Sequence, residues 1–310
     1  MSLLLSLLLL SDVAYRGAVG AQIDADPHGA FDVGVRSGPW SAELFTETID
    51  LRYTDRADDH RFTLGLRGEL FAAGLMTSPW TDGAPDPSRA RTAAYAGLDA
   101  EYVFFGPAGA YLSLAASARE YFFGAIPGGI AADPELVLGP TLRLGLWTSA
   151  VRGSVALGFD LLAQGSATVA PRIEATLRVR PSVDLGPLAV GPWLEGWGAF
   201  ADGQDDTTLT RIGGLNPYVV PLAGAGWAEW WAEDYLAGRA GIFAAFLGVD
   251  LAIVIDAAHL SSPLFTTRDE WGAGVVASGR WGSFFAELSG GYTRERFSGW
   301  GRVGLAWSDE

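Results

Sequence analysis

The sequence predicts an all-β protein: a single antiparallel, up-and-down transmembrane β-barrel of about fourteen strands, with twelve to sixteen possible. Three observations predict this fold. Apolar and polar residues alternate with a period of two, which is typical of a sheet with unlike faces. The alternating segments run for about 10 to 15 residues, whereas ordinary strands have about 5 to 6. Charged residues make up only 18% of the chain, although soluble proteins usually contain about 25%.

The alternation decides which face each side chain occupies. In the segment 61–70, apolar side chains stand at 62, 64, 66 and 70, and polar or small ones stand between them. A tilted strand crosses a bilayer with about 9 to 11 residues. Arginine on the lipid face costs about 2–4 kcal/mol near mid-bilayer. We therefore expect the charged residues to face the lumen, where they either line water or pair with each other: Arg61, Arg67, Glu69, Asp99, Glu101, Arg143, Arg172, Glu174, Arg178 and Glu195.

The chain divides into a predicted signal peptide at 1–21 and a single barrel domain at 22–310. Residues 3–10 form a short apolar core, and Val19-Gly20-Ala21 resembles a small-residue cleavage site. The segment 239–256 is long enough to hide a hairpin. The predicted strands are 29–37, 40–53, 60–73, 92–105, 108–122, 135–147, 150–163, 167–181, 187–200, 222–234, 239–256, 268–279, 281–293 and 297–308.

Composition excludes several kinds of chemistry. The formal net charge is -15 and cysteine is absent, so we expect no nucleic-acid partner and no disulfide or thiolate metal site. All 21 basic residues are arginine, which excludes a Walker A phosphate loop and Schiff-base chemistry. We expect no cofactor and no metal. The acidic turns are expected to be solvated rather than to bind divalent cations, at Asp55, Asp58, Asp59, Asp202, Asp205 and Asp206.

The ends of the predicted strands indicate a bacterial outer membrane, with its lipids and lipopolysaccharide as surroundings. Tryptophans that resemble an aromatic girdle lie near strand ends, at Trp40, Trp80, Trp147, Trp281, Trp300 and Trp307. In the last strand, Val303, Leu305 and Trp307 are expected to alternate outward. That pattern resembles the C-terminal signal by which barrel assembly machinery recognises its substrates.

Motifs from about residue 211 onward occur in a recognisable order. Arg211-Ile212-Gly213-Gly214 opens a segment that continues through Asn216-Pro217-Tyr218 to Pro221 and Gly224. Ala228-Glu229-Trp230, Ile253 to Ala258 and Trp271 to Val275 follow, and then the last two strands. This order resembles the C-terminal half of the bacterial surface antigen family, the BamA- and TamA-type barrels that assemble or translocate other outer-membrane proteins.

The resemblance implies a loop at 210–224 that folds into the lumen, with Asp256 as its partner in the wall. It also implies client outer-membrane proteins as possible partners. Family members carry a loop arginine that pairs with the strand aspartate, whereas the segment 216–224 has none. Arg211 is the nearest substitute in sequence. The family's periplasmic polypeptide-binding domains have no counterpart before the first strand.

Two other functions stay open. The mixed charges of the lumen face would suit a diffusion channel for small solutes. His259, near Asp256, Ser261 and Ser262, could act as the base of a lipid hydrolase, although adjacency in sequence does not establish such a geometry. We expect no enzymatic activity, and we rank a membrane-protein assembly role first.

Overall fold

The computed structural model describes residues 13–23, 28–45, 48–69, 80–81, 84–85, 91–125, 134–164, 166–205, 208–213, 220–225, 229–293 and 296–307. Its main element is one antiparallel sheet that closes on itself, which confirms the predicted fold class. The strands of this sheet are β1 (Val13–Ile23), β2 (His28–Ser37), β3 (Trp40–Phe45), β4 (Thr48–Arg56), β5 (His60–Glu69), β8 (Arg91–Phe105), β9 (Ala110–Ala125), β10 (Glu135–Trp147), β11 (Val151–Gln164), β12 (Ser166–Val179), β13 (Val183–Leu185), β14 (Leu188–Ala201), β17 (Asp234–Phe246), β18 (Val249–Ser262), β19 (Phe265–Trp281), β20 (Phe284–Tyr292) and β21 (Phe297–Leu305).

The wall contains sixteen strands, because the short β13 continues β12 after a break and both pair with β14. Two small hairpins lie outside the wall sheet: β6 (Trp80–Thr81) with β7 (Ala84–Pro85), and β15 (Thr210–Ile212) with β16 (Trp230–Ala232). Among the described residues, no helix is long and apolar enough to span a membrane.

The first strand closes the barrel. β1 pairs with β2 along ten positions and with β21 along seven, from Gly17 opposite Leu305 to Ile23 opposite Gly299. The sequence analysis predicts a signal peptide at 1–21, and in the structure residues 13–21 of that range lie in β1. Residues 1–12 lie outside the described part, and a leader there stays a prediction.

Alternation in β18 shows how the sequence sets the two faces of the wall. Leu251, Ile253 and Ile255 are exposed on the outside, whereas Val254 and Asp256 are buried on the inside. Exposed large apolar side chains recur along the wall strands in the same way. On a barrel these side chains face hydrocarbon, and polar side chains fill the interior.

Two of the predicted girdle tryptophans stand on the outer surface at one rim: Trp40 begins β3 and Trp281 ends β19. Trp147 ends β10 at the same rim, but it shares the face of Arg143, and its ring centroid lies 4.5 Å from the guanidinium of Arg152. Trp300 and Trp307 differ from the prediction, since both are buried. The side chain of Trp80 lies outside the described residues.

Trp307 also corrects the predicted C-terminal signal. Val303 and Leu305 are exposed on the outer face as expected, but the chain leaves β21 before Trp307. The indole ring lies 5.5 Å from the guanidinium of Arg16 and 5.0 Å from that of Arg36. Contact with these two cations holds the ring inward, because the face of an indole attracts a guanidinium.

The strand list needs three further corrections. The predicted strand 40–53 is the hairpin β3–β4, and 239–256 contains the suspected hairpin turn, at Leu247 and Gly248. Both residues have positive φ, as a two-residue hairpin turn requires. Of the predicted strand 222–234, the described residues place Asp234 in the wall, as the first residue of β17, whereas β16 lies outside the wall and pairs with β15.

The two rims of the barrel differ. The rim that holds the start of β1 and the end of β21 has short turns, such as 38–39, 247–248 and 282–283. The opposite rim has the long connections, including 70–90 and 202–233. Short turns face the periplasm in outer-membrane barrels and long loops face outward, so the chain enters and leaves the wall on the periplasmic side.

Candidate functional site

The connection between β14 and β17 turns into the lumen and builds a small core there. Its hairpin β15–β16 is extended by a bridge between Ile212 and Val220, with the Gly213 amide donating to the Val220 carbonyl at 3.0 Å. Leu222 is fully buried. The segment packs against residues of the wall's inner face, and the cluster contains Ala199, Ile212, Leu222, Ala225, Trp230, Ala232, Tyr235, Ala237, Ala258 and Leu260.

The backbone of a single residue of this segment, Ala223, lies directly on the wall. The Ala223 amide donates a hydrogen bond of 2.8 Å to Oδ2 of Asp256. Its carbonyl oxygen lies over Gly272, the residue that pairs with Asp256 on the next strand. A Cβ built on Gly272 would stand 1.8 Å from that oxygen. We call these wall residues, together with Gly274 and Gly291, the Ala223 seat.

The remaining seat residues leave room for the Ala223 methyl group. A Cβ on Gly274 would stand 3.1 Å from the Ala223 Cβ, and one on Gly291 would stand 2.8 Å from it. Gly224 follows with φ +81 and lies against the backbone of Tyr292 and Thr293. Only glycine adopts such a φ at low cost. The seat is therefore a shallow trough of backbone on β19 and β20, with one carboxylate at its edge.

Asp256 is almost fully buried and is held by a strand arginine. Arg239, its cross-strand partner on β17, donates from Nε to Oδ1 and from Nη2 to Oδ2, both at 2.8 Å. Glu195 lies 3.9 Å from Nη1 of the same arginine. A bidentate guanidinium compensates the desolvation of the carboxylate and fixes its direction. Asp256 keeps enough acceptor capacity for the Ala223 amide.

A second set of contacts holds the part of the connection that follows the lumen segment, at Glu229 and Trp230. Glu229, fully buried before β16, forms an ion pair with Arg296 beside β21. Trp230 packs edge-on against Phe265, with ring centroids 5.5 Å apart, and the Arg268 guanidinium lies 4.5 Å from its centroid. The lumen segment is thus attached to the wall at more than one point.

The predicted site residues fall into three groups. Asp256, Pro221, Gly213 and Gly224 are in or beside the lumen segment. Gly214 and Pro217 lie outside the described residues. Arg211 is in the lumen but does not replace the missing loop arginine, because its guanidinium stacks 3.5 Å from the Trp231 ring and donates to the Leu209 carbonyl at 2.9 Å.

Sequence reasoning did not find Arg239, Gly272 as a seat residue, Gly291, or the pair of Glu229 with Arg296. Arg239 carried a usable signal: a turn at 247–248 places it opposite Asp256. The glycines carried a weaker signal: Gly272 and Gly274 are two positions apart on β19 and therefore lie on the same face.

Most charged lumen residues in the described part pair with neighbours on the wall. Most of these arginines bind carboxylates on their own or an adjacent strand, whereas Arg16 reaches Glu43 across β2 and Arg180 reaches Asp250 across β14 and β17. For these residues, pairing along the wall is the outcome of the two that the sequence left open. The pairs are Arg16 with Asp32 and Glu43, Arg52 with Asp50, Arg61 with Glu101, Arg172 with Asp160 and Glu174, Arg178 with Glu195, Arg180 with Asp250, and Arg302 with Glu287.

The histidine considered as a catalytic base stands on the other face of the wall from Asp256. His259 is exposed on β18, whereas Asp256 is buried in the lumen. His259 Nδ1 instead lies 2.6 Å from Oδ1 of the exposed Asp269. The two members of the proposed triad therefore do not meet.

Replacing His259 with alanine is expected to change little. An exposed ion pair contributes about 0–1 kcal/mol, and the exposed dyad holds no partner serine within its hydrogen bonds. Phospholipid and lipid A hydrolysis by the wild type and by His259→Ala should both equal the blank of empty vesicles. A wild-type rate above that blank, lost in the variant, would restore the hydrolase hypothesis.

Several solved barrels share this fold. No family model and no curated protein matches the chain. CdiB from Acinetobacter baumannii superposes with a TM-score of 0.64 at 11% identity, over 96% of this chain and 60% of that one. BamA from Haemophilus ducreyi lacking POTRA domains 1-3 superposes with a TM-score of 0.67 at 10% identity, over 95% of this chain and 70% of that one. CdiB from Escherichia coli gives 0.65 at 10% identity, over 94% and 62%.

At these identities the similarity shows the fold alone. The chain spans 60% of the length of the Acinetobacter baumannii CdiB chain. Together with the sixteen-strand wall and its apolar outer face, the similarity identifies a β-barrel of the bacterial outer membrane.

Proposed function

We propose that this chain is an outer-membrane barrel of the assembly or translocation type, in which the lumen segment 210–224 is the functional element. The observation that carries the proposal is the contact of the Ala223 backbone with Asp256 and Gly272. The similarity to BamA and CdiB barrels supports it at the level of fold. Client outer-membrane proteins are the proposed partners, and no chemical reaction is part of the role.

The way the segment is held supports a functional element rather than a passive filling. A filling needs only bulk apolar contact, which the cluster around Leu222 supplies. Here the wall adds a trough of glycines and a buried carboxylate aimed at one amide. Keeping a buried ion pair for this purpose is expensive, because charges lose hydration in the interior. Such an arrangement suits a segment whose position must be defined.

The test is assisted folding of a client. The purified barrel is placed in liposomes, a small urea-unfolded outer-membrane barrel is added, and its folding is followed by heat-modifiable migration on gels. We expect wild-type liposomes to fold the client several-fold faster than empty liposomes. Asp256→Asn should lose most of that gain, and Asp250→Asn, on the same strand, should keep it.

A rate equal to that of empty liposomes would contradict the proposal. So would an Asp256→Asn protein, folded by the same gel criterion, that works as well as the wild type.

A diffusion channel is the second candidate, and one observation favours it. The described residues of the lumen segment leave a polar cavity of about 480 Å³ along strands β4 to β12. Planar-bilayer recording separates the two functions. Stable steps of open conductance in the wild type would support the channel, and a closed wild-type barrel would exclude it.

A further inference from the structure

The cavity beside the lumen segment is a separate feature from the Ala223 seat. It has a volume of about 480 Å³, and its walls come from the inner faces of β4 to β12. Residues 208–210, where the chain enters the lumen segment, also line it. Small-molecule sites commonly measure about 300–1,000 Å³, so this space is large enough for a small organic solute.

Glycines hollow the cavity out of the wall. A Cβ built on Gly65 would stand 2.6 Å from Oδ1 of Asp99, and one on Gly97 would stand 2.9 Å from the Arg119 Cγ. A Cβ on Gly139 would stand 2.8 Å from Oδ1 of Asp160. Charged side chains from neighbouring strands therefore extend across positions that carry no side chain.

Cations exceed anions in the lining of this cavity, although the whole chain has a formal net charge of -15. The charged side chains of the lining are five arginines and three acids, namely Arg52, Arg67, Arg119, Arg143, Arg172, Asp99, Glu101 and Asp160. An excess of one sign of charge inside low-dielectric walls concentrates ions of the opposite sign.

Two of these arginines have their charge available. The other three are engaged: Arg52 is bound by Asp50, and Arg172 by Asp160 and Glu174. Arg119 interacts with Tyr121. Among the acids of the lining, Glu101 is engaged by Arg61 and Ser113. Within the described part of the chain, Arg67 and Arg143 make no hydrogen bond or ion pair, and the Nε of Arg67 is shielded from solvent.

We propose that this cavity binds a small organic oxyanion with more than one negative charge, such as a di- or tricarboxylate. The planar guanidinium fork matches carboxylate geometry and holds it through paired hydrogen bonds. Arg67 on β5 and Arg143 on β10 stand on separate strands, so a ligand with two charged groups can engage both. This inference does not rest on the proposed assembly function.

The test is calorimetric titration of the detergent-solubilised barrel with citrate, and with acetate and glycerol as a monovalent and a neutral probe. We expect citrate to bind more tightly than acetate, with no heat from glycerol. Raising the salt concentration should weaken citrate binding, because salt screens the attraction. The combined variant Arg67→Gln and Arg143→Gln should weaken citrate binding by about tenfold or more, consistent with the loss of two charged hydrogen-bonding partners.

The matched control is Arg180→Gln with Arg302→Gln. It removes the same charge from lumen arginines that pair elsewhere and do not line the cavity, and it should bind citrate as the wild type does. Heat-modifiable migration checks that each variant is folded, and the two single variants replace the double one where it is not. The proposal fails if wild-type protein gives no citrate heat, or if both variant pairs bind equally well.

Discussion

Replacing Asp256 with alanine is expected to destabilise the barrel by about 3–5 kcal/mol, the usual cost of removing one partner of a buried ion pair. Arg239 would keep its buried charge, and among the described residues Glu195, at 3.9 Å, would be the acid left to compensate it. The Ala223 amide would lose its acceptor at the same time. Urea unfolding in lipid vesicles, followed by tryptophan fluorescence, measures the change.

Release of the lumen segment can be measured separately with trypsin. Between Arg180 and Arg239 the chain has one basic residue, Arg211. Its guanidinium lies against Trp231 in the lumen. Cleavage after Arg211 should therefore be slow in the wild type and much faster in Asp256→Ala.

The control is Asp250→Ala on the same strand, whose pair with Arg180 is partly exposed. Loss of this ion pair should lower the free energy of unfolding by less than about 1 kcal/mol. Equal destabilisation by the two variants would show that Asp256 has no special role.

Replacing Gly272 with alanine is expected to push the segment off the wall. The added Cβ would stand 1.8 Å from the Ala223 carbonyl oxygen and 2.9 Å from that of Tyr292. Both atoms belong to backbone, so no side-chain rotation relieves the contact. Overfilled sites usually cost about 1–3 kcal/mol when side chains can adjust, and we expect the upper end or more here. Tryptic cleavage after Arg211 should accelerate at least tenfold.

Two comparisons identify the cause of that effect. Gly196→Ala also adds a methyl group to a wall glycine, but its nearest neighbour would be 4.0 Å away, and it should leave cleavage unchanged. Adding Ala223→Gly to Gly272→Ala should not restore protection, because the clash is with the Ala223 oxygen rather than its methyl group. Restoration by that second change would contradict the proposed seat.

The barrel was predictable from sequence because lipid and lumen impose opposite demands on adjacent residues. In β18, for example, Ile253 and Ile255 face outward and Asp256 faces the lumen, which are the faces that polarity requires. Strand ends were harder to predict, because β1 and the β3–β4 hairpin lack long polar turns. Residues 13–21 fit two interpretations, because small apolar residues suit both a cleavage region and a lipid-facing strand.

The candidate site was predictable only in part. Asp256 stood out as an acid at the end of an apolar run, but its partner depends on register. The length of the segment 239–256 is compatible with a hairpin. A turn at Leu247 and Gly248 places its two end residues, Arg239 and Asp256, opposite each other. The seat itself depends on a chain reversal of more than thirty residues into the lumen, which local alternation does not encode.

The Ala223 seat recognises main chain rather than side chain, and this has a consequence for engineering. The wall contributes a carboxylate and glycines, while the segment contributes an amide, a carbonyl and one methyl group. The wall residues therefore determine the selectivity of the contact, and at position 223 only the size of the side chain matters. A randomised library of the segment should retain folded barrels for many different tips, provided that residue 223 stays alanine, serine or glycine and residue 224 stays glycine.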